Sequence, residues 1–317
     1  MEERVVFFGS PDFAIPALDA LISSEFKPRL VVTQPDRPAG RGKKLAATPV
    51  RELAEARGIP VLVLGSFRDE GVLGRLREAS ADFFVVVSFG KIFPKEALEI
   101  ARKANVNLHA SLLPAYRGAS PINSAIVNGD AWSGVTTMEM LPALDAGPVY
   151  LERMVPIDPL ENAGDYGARL APEGAALVLE TLRRISRARL RPVPQSEEGA
   201  SKARLLRKED GLIPWDKDAI AVHNHIRGMN PWPGSFTYCR GVYLKVLEAR
   251  PLDLVARETP PGRVIDAVGD AITVSCGRGS VRLTVLQAEG KCALEAATFL
   301  RGFPLGKGEV LGKRALG

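Results

Sequence analysis

The chain of 317 residues predicts an α/β protein in two domains. The first, 1–189, is a mostly parallel, Rossmann-like doubly wound sheet; the second, 208–317, is a small antiparallel, OB-like β-barrel. Three observations predict this. Short apolar runs alternate with helix-periodic segments through the first half, as strand and helix must alternate to build parallel sheet. The alternation stops between 190 and 207, where Arg-Pro-Val-Pro-Gln-Ser-Glu-Glu-Gly-Ala reads as an inter-domain linker. Beyond it, short strands separated by Gly and Pro recur at hairpin spacing.

Arg4 to Phe8 is an apolar run ending at Gly9, the pattern of a strand buried on both faces. Ser10 or Asp12 can cap the next helix, which buries Phe13, Ile15, Leu18, Leu21 and Ile22. The turn between them is Gly-Ser-Pro-Asp, not Gly-x-Gly-x-x-Gly. A dinucleotide pyrophosphate needs bare backbone at several positions there, so a nucleotide-cofactor dehydrogenase is not expected. Further strands are expected at Leu30–Thr33, Ile59–Leu64, Phe83–Val87, Val106–His109, Val135–Leu141 and Val149–Ile157. Helices are expected at Thr48–Arg57, Phe67–Ala79, Pro94–Lys103, Pro121–Asn128 and Asn162–Arg189, with Thr48 as a cap and Pro49 behind it. In the second domain a helix at Asp218–Arg227 precedes strands at Ser235–Cys239, Val242–Ala249, Gly262–Ala267, Ala271–Ser275 and Ser280–Leu286.

Composition restricts the function classes. Hydrophobic content of 46% with 25% charged residues is that of a water-soluble globular chain. No apolar run reaches the roughly 20 residues that span a bilayer. The start, Met1-Glu2-Glu3-Arg4, lacks the basic or amphipathic character of a leader, so a cytoplasmic protein is expected. Cys239, Cys276 and Cys292 are too scattered for a disulfide framework or a metal site, and buried free thiols are expected. From 201 onward cations outnumber acids, while the remainder is close to neutral; a basic second domain suits a polyanion, or merely a soluble surface. A monomer is expected.

Two stretches carry chemistry. In Gln34-Pro35-Asp36-Arg37-Pro38-Ala39-Gly40-Arg41-Gly42-Lys43-Lys44-Leu45, proline and glycine deny helix and strand, and four cations meet one acid. A mobile basic loop is expected, able to order against phosphates; a plain solvated loop is the alternative. The second stretch is Asn107-Leu108-His109-Ala110-Ser111-Leu112-Leu113-Pro114. Asn107 and His109 leave a strand two positions apart, on one face, before Pro114 and Gly118 force a loop. Ligands bind at the carboxyl ends of such strands. A satisfied core histidine beside a structural asparagine is the alternative. Asp145 lies in a Pro/Gly-bounded loop after the next strand. If adjacent strands bring their end loops together, Asn107, His109 and Asp145 converge. An amide and an imidazole can then stabilise an oxyanion at a carbonyl, while the carboxylate favours a charged imidazole or orders a water. That set fits acyl transfer to an amine that attacks directly. One histidine and one aspartate make a poor metal site, and no metal is expected. His223 and His225, on a helix of the second domain, are expected to be structural.

The run Asn107 to Ile122, with Leu144-Asp145-Ala146-Gly147, resembles the signature of the 10-formyltetrahydrofolate-dependent formyltransferases. Gly9 to Ala14, Gln34 to Leu45 and Asn230-Pro231-Trp232-Pro233-Gly234 extend the resemblance along the chain, to members that formylate methionyl initiator tRNA. Ala110 stands where glycine is usual, and Leu108 where valine is commonest. The resemblance implies that Asn107, His109 and Asp145 are the catalytic trio. It implies that Ser111, Leu112, Leu113 and Pro114 line the site of the folate co-substrate, 10-formyltetrahydrofolate, with backbone around Phe89 to Ile92 at the pterin. It implies that Arg37, Arg41, Lys43 and Lys44 meet the tRNA acceptor end, and that the barrel docks tRNA. Another folate formyltransferase or hydrolase, acting on a sugar-nucleotide amine or on water, is the nearest alternative. A tRNA- or folate-binding protein without turnover is the second.

Overall fold

The computed structural model describes residues 3–39, 44–252 and 259–313. Its strands and helices in order are β1 (Val5–Gly9), α1 (Ile15–Ile22), β2 (Pro28–Thr33), β3 (Arg37–Ala39), β4 (Lys44–Ala46), α2 (Pro49–Ala56), β5 (Val61–Val63), α3 (Val72–Glu78), β6 (Phe83–Val87), α4 (Lys95–Leu98), β7 (Ala104–His109), β8 (Arg117–Gly118), α5 (Pro121–Asn128), β9 (Trp132–Glu139), β10 (Val149–Pro156) and α6 (Ala163–Ser186). They continue with β11 (Lys202–Ala203), α7 (Ala219–Met229), β12 (Phe236–Cys239), β13 (Val242–Leu252), β14 (Val264–Val268), β15 (Ala271–Ser275), β16 (Ser280–Ala288), β17 (Leu294–Glu295) and α8 (Ala296–Gly302).

The chain forms two compact units. One holds residues 1–121, 133–155 and 167–203; the other holds 122–132, 156–166 and 204–317. These boundaries differ from the 1–189 and 208–317 expected from sequence. Residues 190–203, expected to be linker, belong to the first unit because their backbone is hydrogen-bonded into it. Val193 pairs with Val149, and β11 pairs in parallel with β8.

The first unit is built on a seven-stranded sheet, β10-β9-β7-β6-β1-β2-β5. The run from β7 through β6, β1 and β2 to β5 is parallel, as buried apolar strands predict. Its core is aromatic. Phe8 lies 4.9 Å from the Phe84 ring and 5.0 Å from Phe93, and Val6, Val32 and Leu76 are buried with them. Thr48 caps α2 by accepting from the Arg51 N–H at 3.2 Å.

Three differences from expectation have local causes. The helix expected from Phe67 begins only at Val72, because Gly71 sits at φ +77°, outside helical space. The helix expected over Pro94–Lys103 stops at Leu98, because the N–H groups of Arg102 and Lys103 are drawn to the carbonyls of Ala81 and Asp82. The basic stretch expected to be structureless has paired flanks: β3 and β4 form an antiparallel ladder from Arg37–Ala46 to Ala39–Lys44. Pro38 is tolerated because a two-stranded ladder leaves one edge of each strand unpaired. Arg41 and Lys43 lie outside the described residues, and only the backbone of Arg37 and Lys44 is described.

The second unit has a six-stranded antiparallel sheet in the order β12-β13-β16-β15-β14, with β17 on β16. Trp215, Val246, Leu283 and Phe299 fill its core with Val222 and Ile226 of α7. Asp218 caps α7, accepting from the Ala221 N–H at 2.7 Å. His223 and His225 on this helix are both buried, and burial holds each below the usual histidine range. The two ring nitrogens of His223 face the carbonyls of Ala249 and Pro159, at 2.8 and 2.9 Å. Cys239 and Cys276 are buried free thiols, whereas Cys292, expected to be buried, is exposed beyond the end of β16.

Candidate functional site

Asn107 and His109 stand at the carboxyl end of β7. Parallel pairing sets Val86 of β6 opposite Asn107 and Val87 opposite Leu108. The turns leaving both strands therefore rise side by side. Ser88 at φ +48° and Gly90 at φ +70° bend the first of them away from the sheet. Leu108, between the two polar residues, points the other way and packs against Gly174 of α6. A Cβ at Gly174 would lie 2.6 Å from a Leu108 methyl, so a larger residue there would force the leucine side chain to shift.

His109 is 6% exposed and held from two sides. Its Nε2 lies 2.9 Å from the Tyr116 carbonyl oxygen. A carbonyl only accepts, so Nε2 carries a proton and donates. Its Nδ1 lies 3.8 Å from Asp145 Oδ2. That is beyond a direct hydrogen bond but well inside electrostatic reach. The same Oδ2 accepts from the Gly118 backbone N–H at 2.8 Å. Asn107 is half-buried, and its amide has no hydrogen-bond partner among the described residues.

Asp145 reaches His109 by a route other than the one expected. β9 is antiparallel to β7, pairing Thr136 with His109 and Glu139 with Val106. The end of β9 therefore lies opposite the middle of β7, not beside its carboxyl end. Residues 140–148 must turn back to bring the carboxylate to the imidazole. The loop is pinched at its base, where the Glu139 N–H donates to Pro148 O at 2.8 Å. Gly147 makes the pinch possible, since a Cβ there would overlap the Glu139 carbonyl oxygen. Asp145 itself has φ +49°, a left-handed conformation in which an aspartate is tolerated but not preferred.

The loop after β7 is equally constrained. Ser111, Leu112, Leu113 and Pro114 form a tight turn containing a cis Leu113–Pro114 bond. Ser111 is fully buried and donates its hydroxyl to Ala115 O at 2.7 Å, so the hydroxyl shapes the turn. Thr136 donates to Ser111 O at 2.7 Å and accepts from the Leu113 N–H at 3.2 Å. Tyr116 adopts φ +62°, which aims its carbonyl at the histidine ring. Gly118 has φ +124°, and a Cβ there would lie 2.3 Å from Ala203 O. In the loops after β6 and β9, Ile92 and Leu144 are 80% and 69% exposed, while Phe89 is buried and its carbonyl accepts from the Gln34 amide.

The structure thus brings Asn107, His109 and Asp145 into one neighbourhood. Sequence reasoning missed the residues that hold them there: Tyr116, Gly118, Thr136 and Gln195. Tyr116 and Gly118 act through backbone groups that no side-chain pattern reveals. Gln195 lies in the stretch read as linker, yet its amide donates to the carbonyls of Asp145 and Gly147 at 2.9 and 2.7 Å.

Comparison with known proteins gives the chain's family. The family described as formyl transferase matches residues 3–182, and the formyl transferase C-terminal domain matches 205–304. A methionyl-tRNA formyltransferase of Moorella thermoacetica is 43% identical over 309 residues, covering 98% of this chain and 99% of that relative. One from Sorangium cellulosum is 43% identical over 312 residues, covering 98% and 100%. Among solved structures, an N-formyltransferase of Helicobacter canadensis, in complex with folinic acid and dTDP-3-aminofucose, superposes with a TM-score of 0.67 at 17% identity, covering 91% of this chain and 100% of its own. HypX of Aquifex aeolicus, in complex with tetrahydrofolic acid, gives 0.63 at 18%, covering 97% and 48%. At such identities these two show the shared fold alone. Two family matches along most of the length, and relatives above 40% identity from end to end, settle the kinship: this chain belongs to the methionyl-tRNA formyltransferase family.

Proposed function

We propose that the protein transfers the formyl group of 10-formyltetrahydrofolate to the α-amine of methionyl initiator tRNA, and that Asn107, His109 and Asp145 carry the chemistry. The observation that supports this reading most is the convergence at the strand end of an amide with no partner among the described residues, a held imidazole and a carboxylate 3.8 Å from that imidazole. The neutral amine attacks the formyl carbon, and the carbonyl electrons move to oxygen. Asn107 donates a side-chain N–H to that oxyanion. His109 adds its Nε2–H, released from the Tyr116 carbonyl. Such donors act strongly because they are fixed before charge develops. The carbon–nitrogen bond to the folate carrier then breaks. The attacking nitrogen loses a proton and the carrier nitrogen gains one. Both transfers run through solvent, while Asp145, facing His109 Nδ1, favours the imidazolium, whose Nε2–H is the stronger donor to the oxyanion.

Ser111 to Pro114 supply backbone and apolar surface beside the folate, with exposed Ile92 and Leu144 as apolar contacts at the rim. Arg37, Arg41, Lys43 and Lys44 would meet the phosphates of the tRNA acceptor end, and the basic stretch from residue 201 onward would carry the rest of the tRNA. Among the described residues no helix is long and apolar enough to cross a membrane; a cytoplasmic location is part of this proposal. A monomer, read by sedimentation, is part of this proposal.

The test is to incubate purified protein with formyl-labelled 10-formyltetrahydrofolate and charged initiator tRNA and follow the label. Label in formylmethionine on tRNA is expected. Label released as formate, or moved to a sugar-nucleotide amine in preference, would overturn the reading. Arg41→Ala should raise KM for tRNA while leaving KM for folate unchanged; unchanged tRNA kinetics would remove that stretch from the tRNA site.

A further inference from the structure

We infer that Gln195 is a positioning residue for catalysis, and that residues 193–203 form a clasp holding the two site loops in register. The inference rests on the assignment of Asp145 above. The case is geometric. Gln195 Nε2 donates to two carbonyls of one loop, those of Asp145 and Gly147. Its Oε1 accepts from Arg117 Nε, on the other loop, at 2.9 Å. One half-buried amide therefore ties the chain carrying Asp145 to the chain carrying Tyr116 and Gly118. Those are the groups that meet at His109.

The rest of the segment reinforces the tie. The Tyr116 N–H donates to Ser201 Oγ at 2.8 Å, the Arg117 N–H to Ser201 O at 2.9 Å, and the Ala119 N–H to Ala203 O at 2.8 Å. At the other end Val193 and Val149 exchange both backbone hydrogen bonds, at 2.7 and 2.8 Å. The segment is thus stitched both to the loop after β7 and to the start of β10, just past Asp145. A tie of this kind is needed because both loops hold non-glycine residues at positive φ, Tyr116 and Asp145. Left-handed conformations at such residues persist only where surrounding bonds over-determine them. Gln195 is chemically suited to the task. Its NH2 supplies two donors for two carbonyls, and its oxygen accepts from the guanidinium. An acid in its place would set oxygen against oxygen.

The experiment is a double-mutant cycle. Gln195→Met keeps the bulk and removes the hydrogen bonds; Gln195→Glu keeps the length and removes the donors. Each is measured alone and combined with Asp145→Asn, with kcat and KM for both substrates. Melting temperature is followed to exclude unfolding. Expected is a fall in kcat of about 10-fold or more in both single variants, with KM within about threefold for tRNA and folate. In the Asp145→Asn background the same changes should cost less than about twofold, since the residue being positioned is already disabled. A normal kcat in the single variants, or an equal loss in both backgrounds, would overturn the proposal. The two assignments fail separately: a fully active Asp145→Asn protein removes the role of Asp145, while an impaired Asp145→Asn beside an unimpaired Gln195→Met removes only that of Gln195.

Discussion

Replacing Asp145 by asparagine keeps the shape of the side chain and removes its charge. The structure sets the size of the effect. Oδ2 lies 3.8 Å from His109 Nδ1, and the two side chains are 11% and 7% exposed. At that separation a full ion pair is worth about 4 kcal/mol at an effective dielectric near 20. A rate changes tenfold for about 1.4 kcal/mol of barrier. If the whole interaction appeared only as the imidazolium forms, kcat would fall about 10³-fold. The asparagine keeps a dipole facing the ring, so a loss of 10²- to 10³-fold is expected. Substrate binding should change little, because an asparagine oxygen can still accept from the Gly118 N–H that the carboxylate now engages at 2.8 Å. Single-turnover formylation with saturating folate and charged initiator tRNA isolates the chemical step. A kcat within tenfold of the unaltered protein would refute the reasoning. So would a loss that appeared wholly in KM.

Other consequences can be checked separately. Gly118→Ala should lower kcat by at least 10-fold and lower the melting temperature, because its Cβ would lie 2.3 Å from Ala203 O at a φ of +124°; a variant with unchanged melting and kcat would contradict this packing. With a thiol reagent, the native protein should react quickly at Cys292 alone, while Cys239 and Cys276, buried and pushed up to about 11 and about 12, react only after unfolding; peptide mapping of the label decides. Asp210 is held at about 2 by its bonds to Arg204 and to the Arg207 N–H, against an ordinary 3.8. A depressed carboxyl stabilises the fold above its unfolded value and loses that contribution as pH falls toward 2. Asp210→Asn should therefore destabilise by up to about 1 kcal/mol at pH 7, a bound set by the exposed Arg204 side of the pair, and the gap should close near pH 2. A gap that stays constant on acid titration would contradict the sign.

Much of this was legible in sequence because the signals were physical and local. Apolar runs such as Val5 to Phe8 and Phe83 to Val87 have no stable place except inside a covered sheet, and they became β1 and β6. The spacing of Asn107 and His109 placed both on one face at a strand end. The features that escaped sequence reading depend on groups that are alike in every residue. The Tyr116 carbonyl, the Gly118 N–H and the direction of β9 leave no trace in side-chain pattern. Strand order in the sequence does not by itself bring Asp145 to His109, since β9 is antiparallel and its end loop has to double back. Residues 190–203 looked like linker because Pro, Gly and Glu carry no periodicity, yet backbone pairing and one glutamine amide fasten them to the site. In the basic stretch, composition spoke against strand, but a two-stranded ladder needs only a few backbone bonds and tolerated Pro38.

The most direct measurement is a structure of the protein with a stable folate analogue that carries a formyl-like carbonyl, beside a methionyl-adenosine acceptor. The account predicts that the carbonyl oxygen sits about 3 Å from the Asn107 amide nitrogen and from a ring nitrogen of His109, with the Asp145 carboxylate on the far side of the imidazole. A carbonyl oxygen bound more than about 5 Å from both Asn107 and His109, with the acceptor amine in line for attack, would contradict it.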